Sequence, residues 1–251
     1  TYSMQSIKLM ENFVCTKGGG FDSEKVIVGT SLLVSYATLR WDDLLHSPPD
    51  LWELAEGVLL GVAWQTKVER DVRGTRWGAT RGSLTSKDWV EVFYRLVMAS
   101  MPESGKRDYF MDVPTDDRSG FSPGLIMEYS TFFRLQKEIL VKVGLPKDEA
   151  EGGTRYGRRW APTAAAHGGE TEDTIDMAGN WRTKGMGRTY VAFARTIPLQ
   201  MVNRLVARTR KGWRPNYEGA DRPARKLAKS IELDPEPEDS GEISEERRSI
   251  L

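Results

Sequence analysis

The chain has 251 residues, 28.3 kDa, 39% hydrophobic and 29% charged residues and a mean hydropathy of −0.49. That profile fits a globular chain with apolar material for one large domain or two small ones. No run approaches the ~18 uninterrupted apolar residues of a membrane span, and the single cysteine, Cys15, excludes an intramolecular disulfide and a cysteine zinc cluster. The opening segment lacks the basic and apolar regions of a secretory signal, so an intracellular place, nuclear or cytoplasmic, is expected rather than secretion. Thirty-six basic and thirty-six acidic residues give a formal net charge of zero, which on its own argues against a nucleic-acid partner.

The zero conceals three unlike parts. Residues 1–153 hold 18 Lys and Arg against 22 Asp and Glu, net −4. Residues 154–230 hold 16 against 6, net +10, and residues 231–251 hold 2 against 8, net −6. A concentrated basic block is the electrostatic footprint expected of phosphate binding. The acidic, proline-interrupted end has no aromatic residue and too little apolar surface to offset its ordering entropy. Residues 213–251 therefore read as a basic, then acidic, disordered tail.

In chain order, residues 1–20 read as a short leading segment ending in the flexible Lys17-Gly18-Gly19-Gly20. A domain over 21–212 is expected to follow. Residues 24–40 form an apolar run of helical length, and 57–67 read as a strand that opens a hairpin of two or three strands reaching Thr80. Thr85 and Asp88 have capping-box spacing ahead of the apolar positions Trp89, Val90, Phe93 and Val97. Residues 104–121 read as loop. Leu125, Ile126, Tyr129, Phe132, Phe133, Leu135, Ile139 and Leu140 repeat with a helical period over 123–143. Shorter helices are expected near 156–167, 171–178 and 186–196, and a last one from Pro198 to about Lys211. The expected class is α+β, mainly α with a small antiparallel sheet.

Phosphate-loop, dinucleotide-binding and serine-nucleophile motifs are absent. His46, His167 and Cys15 have no zinc-site spacing. No metal or other cofactor is expected. Three segments carry candidate chemistry: Thr38-Leu39-Arg40-Trp41-Asp42-Asp43-Leu44-Leu45, Gln65-Thr66-Lys67 at a strand end, and the block from Tyr156 to Tyr190.

Taken together, these segments resemble the catalytic domain of the tyrosine recombinases, or phage-integrase family, in its divergent eukaryotic mobile-element form. The family pattern is Arg-x-x-Glu/Asp, a lysine in the following hairpin, His-x-x-Arg, a Gly-His or Gly-Trp pair, and a tyrosine nine residues later. Arg40 and Asp43 match the first element, and Lys67 the second. Tyr156 and Arg159 match the third, with Tyr156 where the family has histidine. A register one residue earlier, Arg155 to Arg158, also fits. Trp181 and Tyr190 match the last two.

The resemblance implies a fold of the recombinase catalytic type and attack by the Tyr190 hydroxyl on a DNA phosphodiester. A covalent 3′-phosphotyrosine would form and a 5′-hydroxyl would leave, so rejoining needs no ATP. Arg40 and Arg159 would clamp the non-bridging oxygens with permanently charged forks. Lys67 would protonate the leaving oxygen, Trp181 would donate its indole N–H, Tyr156 would donate a hydrogen bond to the phosphate, and Asp43 would orient a neighbouring cation. Arg155, Arg158, Arg182, Lys184 and Arg188 are the expected DNA contacts. The implied partners are double-stranded DNA and further copies of the chain in a tetramer, docked through the C-terminal helix that carries Leu199, Val202, Leu205 and Val206. A phenol is a poor proton shuttle near neutral pH, so the alternative is a catalytically degenerate relative that only binds DNA.

Overall fold

The computed structural model describes residues 1–64, 74–178 and 196–215. Its architecture is mainly helical with small antiparallel sheets, an α+β arrangement. Among the described residues no helix is long and apolar enough to cross a membrane.

Helix α1 (Met4–Cys15) starts where the Ser3 hydroxyl accepts the Ser6 N–H, and it buries Met4, Ile7, Met10 and Val14. This spacing places all four on one helical face. The expected boundary near residue 20 therefore does not separate a leading segment from the domain: residues 1–215 form one unit, and α1 is part of its core. The link is polar as well as apolar. The buried Glu11 carboxylate accepts the Tyr36 hydroxyl at 2.5 Å, the Leu84 N–H at 3.0 Å, and the Thr85 N–H and hydroxyl at 2.8 Å each.

Helix α2 (Asp22–Ala37) is the axis of the molecule. Fourteen of its sixteen residues are buried, so it is surrounded rather than amphipathic, as apolar residues on all its faces require. Its buried hydroxyls are satisfied inside the helix: Thr30, Ser31 and Ser35 donate to carbonyls four residues back. It ends at Thr38, which has left-handed backbone angles (φ 54°, ψ 28°).

The short helix α3 (Trp41–Leu45) follows, and then an antiparallel sheet of β1 (Glu53–Ala55), β2 (Val58–Ala63) and β3 (Thr75–Thr80) in the order β1-β2-β3. In β2, Leu59, Gly61 and Ala63 face the core while Val58, Leu60 and Val62 are half-buried, the two-residue period of a one-sided sheet. Leu60 pairs with Gly78 and Gly61 with Trp77. Trp52 and Trp77, edge to face at 5.2 Å, both donate to the Ser47 hydroxyl, at 3.0 and 2.8 Å.

Helix α4 (Trp89–Ala99) is capped by Asp88, whose carboxylate accepts the Glu91 N–H at 3.0 Å. The expected cap at Thr85 is displaced by three residues, because Glu11 already engages Thr85. Two further strands, β4 (Asp112–Pro114) and β5 (Phe121–Ile126), occupy the expected loop and the expected start of the next helix. Pro123 and Gly124 oppose a helix there, and Leu125 and Ile126 are exposed rather than turned inward. The helix begins later, as α5 (Tyr129–Val143), and stops at Gly144, whose φ of 103° provides the left-handed C-terminal turn.

Helices α6 (Lys147–Ala150), α7 (Gly153–His167), α8 (Glu172–Ala178) and α9 (Thr196–Arg210) complete the described unit. In α9, Met201, Val202, Leu205 and Val206 are buried against this same domain. Asn203 accepts the Thr80 hydroxyl at 2.5 Å, and Arg210 Nε donates to the Ser83 carbonyl at 2.7 Å. The C-terminal helix thus packs this apolar face against its own domain. The expected helix over 186–196 and the tail beyond residue 215 lie outside the described residues.

Glu24 shows how the domain manages a buried charge. Its side chain is 1% exposed and is paired with Arg118 at 3.0 Å and Lys142 at 2.9 Å. Burial alone would raise its pKa, but the bonds from Lys142 and Arg118 outweigh burial and hold it below the ordinary carboxylate value. A carboxyl with a depressed folded-state pKa stabilises fully above its unfolded pKa, and that stability is lost as pH falls through the folded value. Glu24→Gln is therefore expected to lower stability by roughly 2 kcal/mol at pH 7. In thermal melts the deficit relative to wild type should shrink steadily as pH is lowered below 4.

Candidate phosphate-binding site

Two distant stretches of sequence meet at the end of α2. The first is the turn Thr38-Leu39-Arg40, which leads into α3. The Asp43 carboxylate reaches back to accept the Arg40 N–H at 3.3 Å, which caps that helix and fixes the turn. The second is the first half of α7, where Arg155, Arg158 and Arg159, at i, i+3 and i+4, share one face. Leu39, Arg40, Trp41, Thr154, Arg155, Arg158 and Arg159 together line a cavity of about 400 Å³.

Arg158 is the anchor. It is half-buried, and its Nε donates to the Thr38 carbonyl at 3.2 Å. That bond holds a cation at the C-terminal end of α2, where the helix dipole favours positive charge. Burial lowers the Arg158 pKa, and the charges of Arg40 and Arg159 lower it further while Asp43 opposes them. The guanidinium nevertheless keeps its charge, as arginine does in proteins. Asp43 is 7% exposed. Burial raises its pKa against the Arg40 N–H and the charges of Arg40 and Arg158, and Asp42 adds to the rise. Its Oδ1 has no hydrogen-bond partner.

Asp43 interacts electrostatically with Arg40 and Arg158, and the cavity, lined by four arginines and no carboxylate, carries surplus positive charge. Such an arrangement is suited to a polyanionic oxygen cluster, because guanidinium forks match phosphate geometry and stay charged. Among the described residues no group of three or more His, Cys, Asp and Glu could hold a metal ion.

Of the expected site residues, the structure brings together Arg40, Asp43, Arg155, Arg158 and Arg159. It does not bring Tyr156 to the cavity. The Tyr156 ring packs edge-on against Tyr2, with centroids 6.3 Å apart, on another face of α7. Arg155 and Arg158, the pair of the earlier register, line the cavity, and so does Arg159, the arginine of the other register. Strand β2 ends at Ala63, and Lys67, expected at the end of a strand, lies outside the described residues. So do Trp181, Arg182, Lys184, Arg188 and Tyr190. Thr38, Leu39 and Trp41 lay in a candidate segment without an assigned role, and sequence reasoning missed Thr154, whose only signal was adjacency to Arg155.

No family model matches the chain, and no curated protein or solved structure matches it.

Inorganic phosphate is expected to raise the melting temperature more than chloride at equal ionic strength, since it binds the native state selectively. Arg158→Ala should lose most of that difference. An equal shift in both proteins would place the anion elsewhere.

Proposed function

We propose that the chain binds double-stranded DNA through the arginine cavity and cleaves and rejoins a strand through Tyr190, in the manner of a tyrosine recombinase. The observation that carries this reading is the meeting of Arg40 and Arg158, 118 positions apart in sequence, on one cavity with surplus positive charge. Their order relative to Asp43, Lys67, Trp181 and Tyr190 adds to it.

In this reading the Tyr190 oxygen forms a bond to phosphorus and gives up its proton to water, while the bond from phosphorus to the 5′-oxygen breaks. Lys67 supplies the proton to that oxygen. Arg40 and Arg158, with Arg155 and Arg159 beside them, stabilise the charge that develops on the non-bridging oxygens. One preorganised donor of this kind contributes about 3–4 kcal/mol. Trp181 donates its indole N–H to the same phosphate. Asp43 holds Arg40 and Arg158 in place. DNA integration or recombination by several copies of the chain would follow from such chemistry.

A second reading, DNA binding without cleavage, is favoured by one feature of the site. The position one turn before Arg158 is occupied by Arg155, which is always charged and cannot shuttle a proton. Incubation with nicked duplex substrates discriminates the two. A strand-transferring enzyme yields a covalent adduct with DNA that disappears in Tyr190→Phe and falls by at least two orders of magnitude in Arg158→Ala. Binding whose logarithm falls steeply with log salt, with no adduct, supports the second reading. Absence of both would sink the DNA assignment.

A further inference from the structure

The arginine cavity has a second kind of lining. Beside its four cations stand Leu39, Trp41 and Thr154, and its volume of about 400 Å³ falls in the range of pockets that enclose a small organic ligand. A bare phosphate uses only the cationic part of such a space. Both Trp41 and Thr154 lead to the same neighbour. Thr154 Oγ1 is 3.5 Å from the Tyr129 hydroxyl, and the Trp41 ring centroid lies 6.0 Å from that of Tyr129.

Tyr129 is the first residue of α5 and is 43% exposed. Phe133, one turn on, lies near-parallel to it at 6.0 Å and 21°. Trp41 is stacked on the buried Phe132 at 4.3 Å and is itself only 6% exposed. Trp41 and Phe132 are thus closed off, while Tyr129 presents aromatic surface to solvent beside the cavity-lining Trp41 and Thr154. An exposed tyrosine with no partner is usually unremarkable. Here it is backed by a second ring and tied to a threonine and a tryptophan that line a cavity with four arginines.

We propose that Tyr129 is a stacking platform for an unpaired nucleobase, in the same strand as the phosphate held by Arg40, Arg155, Arg158 and Arg159. The inference rests on the reading of that cavity as a DNA phosphate site. A base inside a duplex has both faces covered by its neighbours, so only an unpaired base offers a face to the ring. Stacking of this kind accepts every base, because each has a π-face. The platform therefore selects distorted, gapped or frayed DNA at the phosphate rather than a sequence. The charge of the cavity favours a nucleotide over an apolar peptide as the occupant.

The test uses the full chain and two labelled duplexes that differ at one position beside a nick. One carries an unpaired nucleotide there, the other an abasic residue with the same phosphates. Base–aromatic stacking contributes about 1–3 kcal/mol, so wild type is expected to bind the first duplex roughly 5- to 150-fold tighter. Tyr129→Phe keeps that ratio, and Tyr129→Ala collapses it to below twofold. Far-ultraviolet circular dichroism and melting temperature establish that both variants fold. A wild-type ratio near one, or an unchanged ratio in Tyr129→Ala, overturns the proposal. Arg158→Ala separates the two layers: if it binds both duplexes as wild type does, the phosphate reading fails, whatever Tyr129→Ala shows.

Discussion

The close approach of α7 to α2 governs the rest of the molecule. It is set by Gly157, which lies against Ser31, Val34 and Ser35. A β-carbon at Gly157 would stand 2.9 Å from Ser35 Oγ and 3.3 Å from Val34 Cγ1. Small residues let the two helices meet nearly backbone to backbone, and the serines bear burial because each hydroxyl donates within its own helix. The Gln136 amide from α5 also donates to Ser31, at 2.7 Å, so three helices are registered at one polar point. Arg158 is the residue after Gly157, and the contact delivers its guanidinium to the end of α2. A helix held one side chain further away could not make the bond to Thr38.

The charges of the domain are handled in two contrasting ways. Glu24, and the Arg107–Asp112 pair at 3.0 Å with side chains 3% and 5% exposed, are buried with partners. These arrangements offset the desolvation of their own charges. The cavity at α7 is different: four arginines line it, and the nearby Asp43, which interacts with Arg40 and Arg158, has an oxygen without a partner. Like charges at this density oppose folding, and they persist because the helices around them are fixed by apolar packing. Local departures from good pairing are where a function is expected to reside. Three of the cavity's arginines come from the +10 segment, and the fourth, Arg40, from an overall acidic region.

Much of the scaffold was legible before any coordinates. The apolar run of α2, the alternating β2, the amphipathic α4 and the inward stripe of α9 all follow from hydrophobic periodicity. The errors fall where a residue's role was taken by something remote in sequence. Thr85 looked like a helix cap, but Glu11, more than seventy residues earlier, engages it. Leu125 and Ile126 fit a helical period, yet Pro123 and Gly124 and the pairing of β5 with β4 hold them in a strand. Residues 1–20 looked detachable because nothing local shows that Met4, Ile7, Met10 and Val14 meet an already apolar α2.

The candidate site divides along the same line. The sequence alone determined which residues could hold a phosphate: the basic composition after residue 153, the arginines at 40, 155, 158 and 159, and the carboxylate at 43 are properties of the chain read in order. It could not choose between Tyr156 with Arg159 and Arg155 with Arg158. A helix bearing those residues offers both pairs at the same spacing, and periodicity carries no absolute phase. Tertiary structure adds that phase, because the burial of Gly157 against α2 sets the rotation of α7. That rotation brings Arg155, Arg158 and Arg159 to one cavity with Arg40 and leaves Tyr156 against Tyr2.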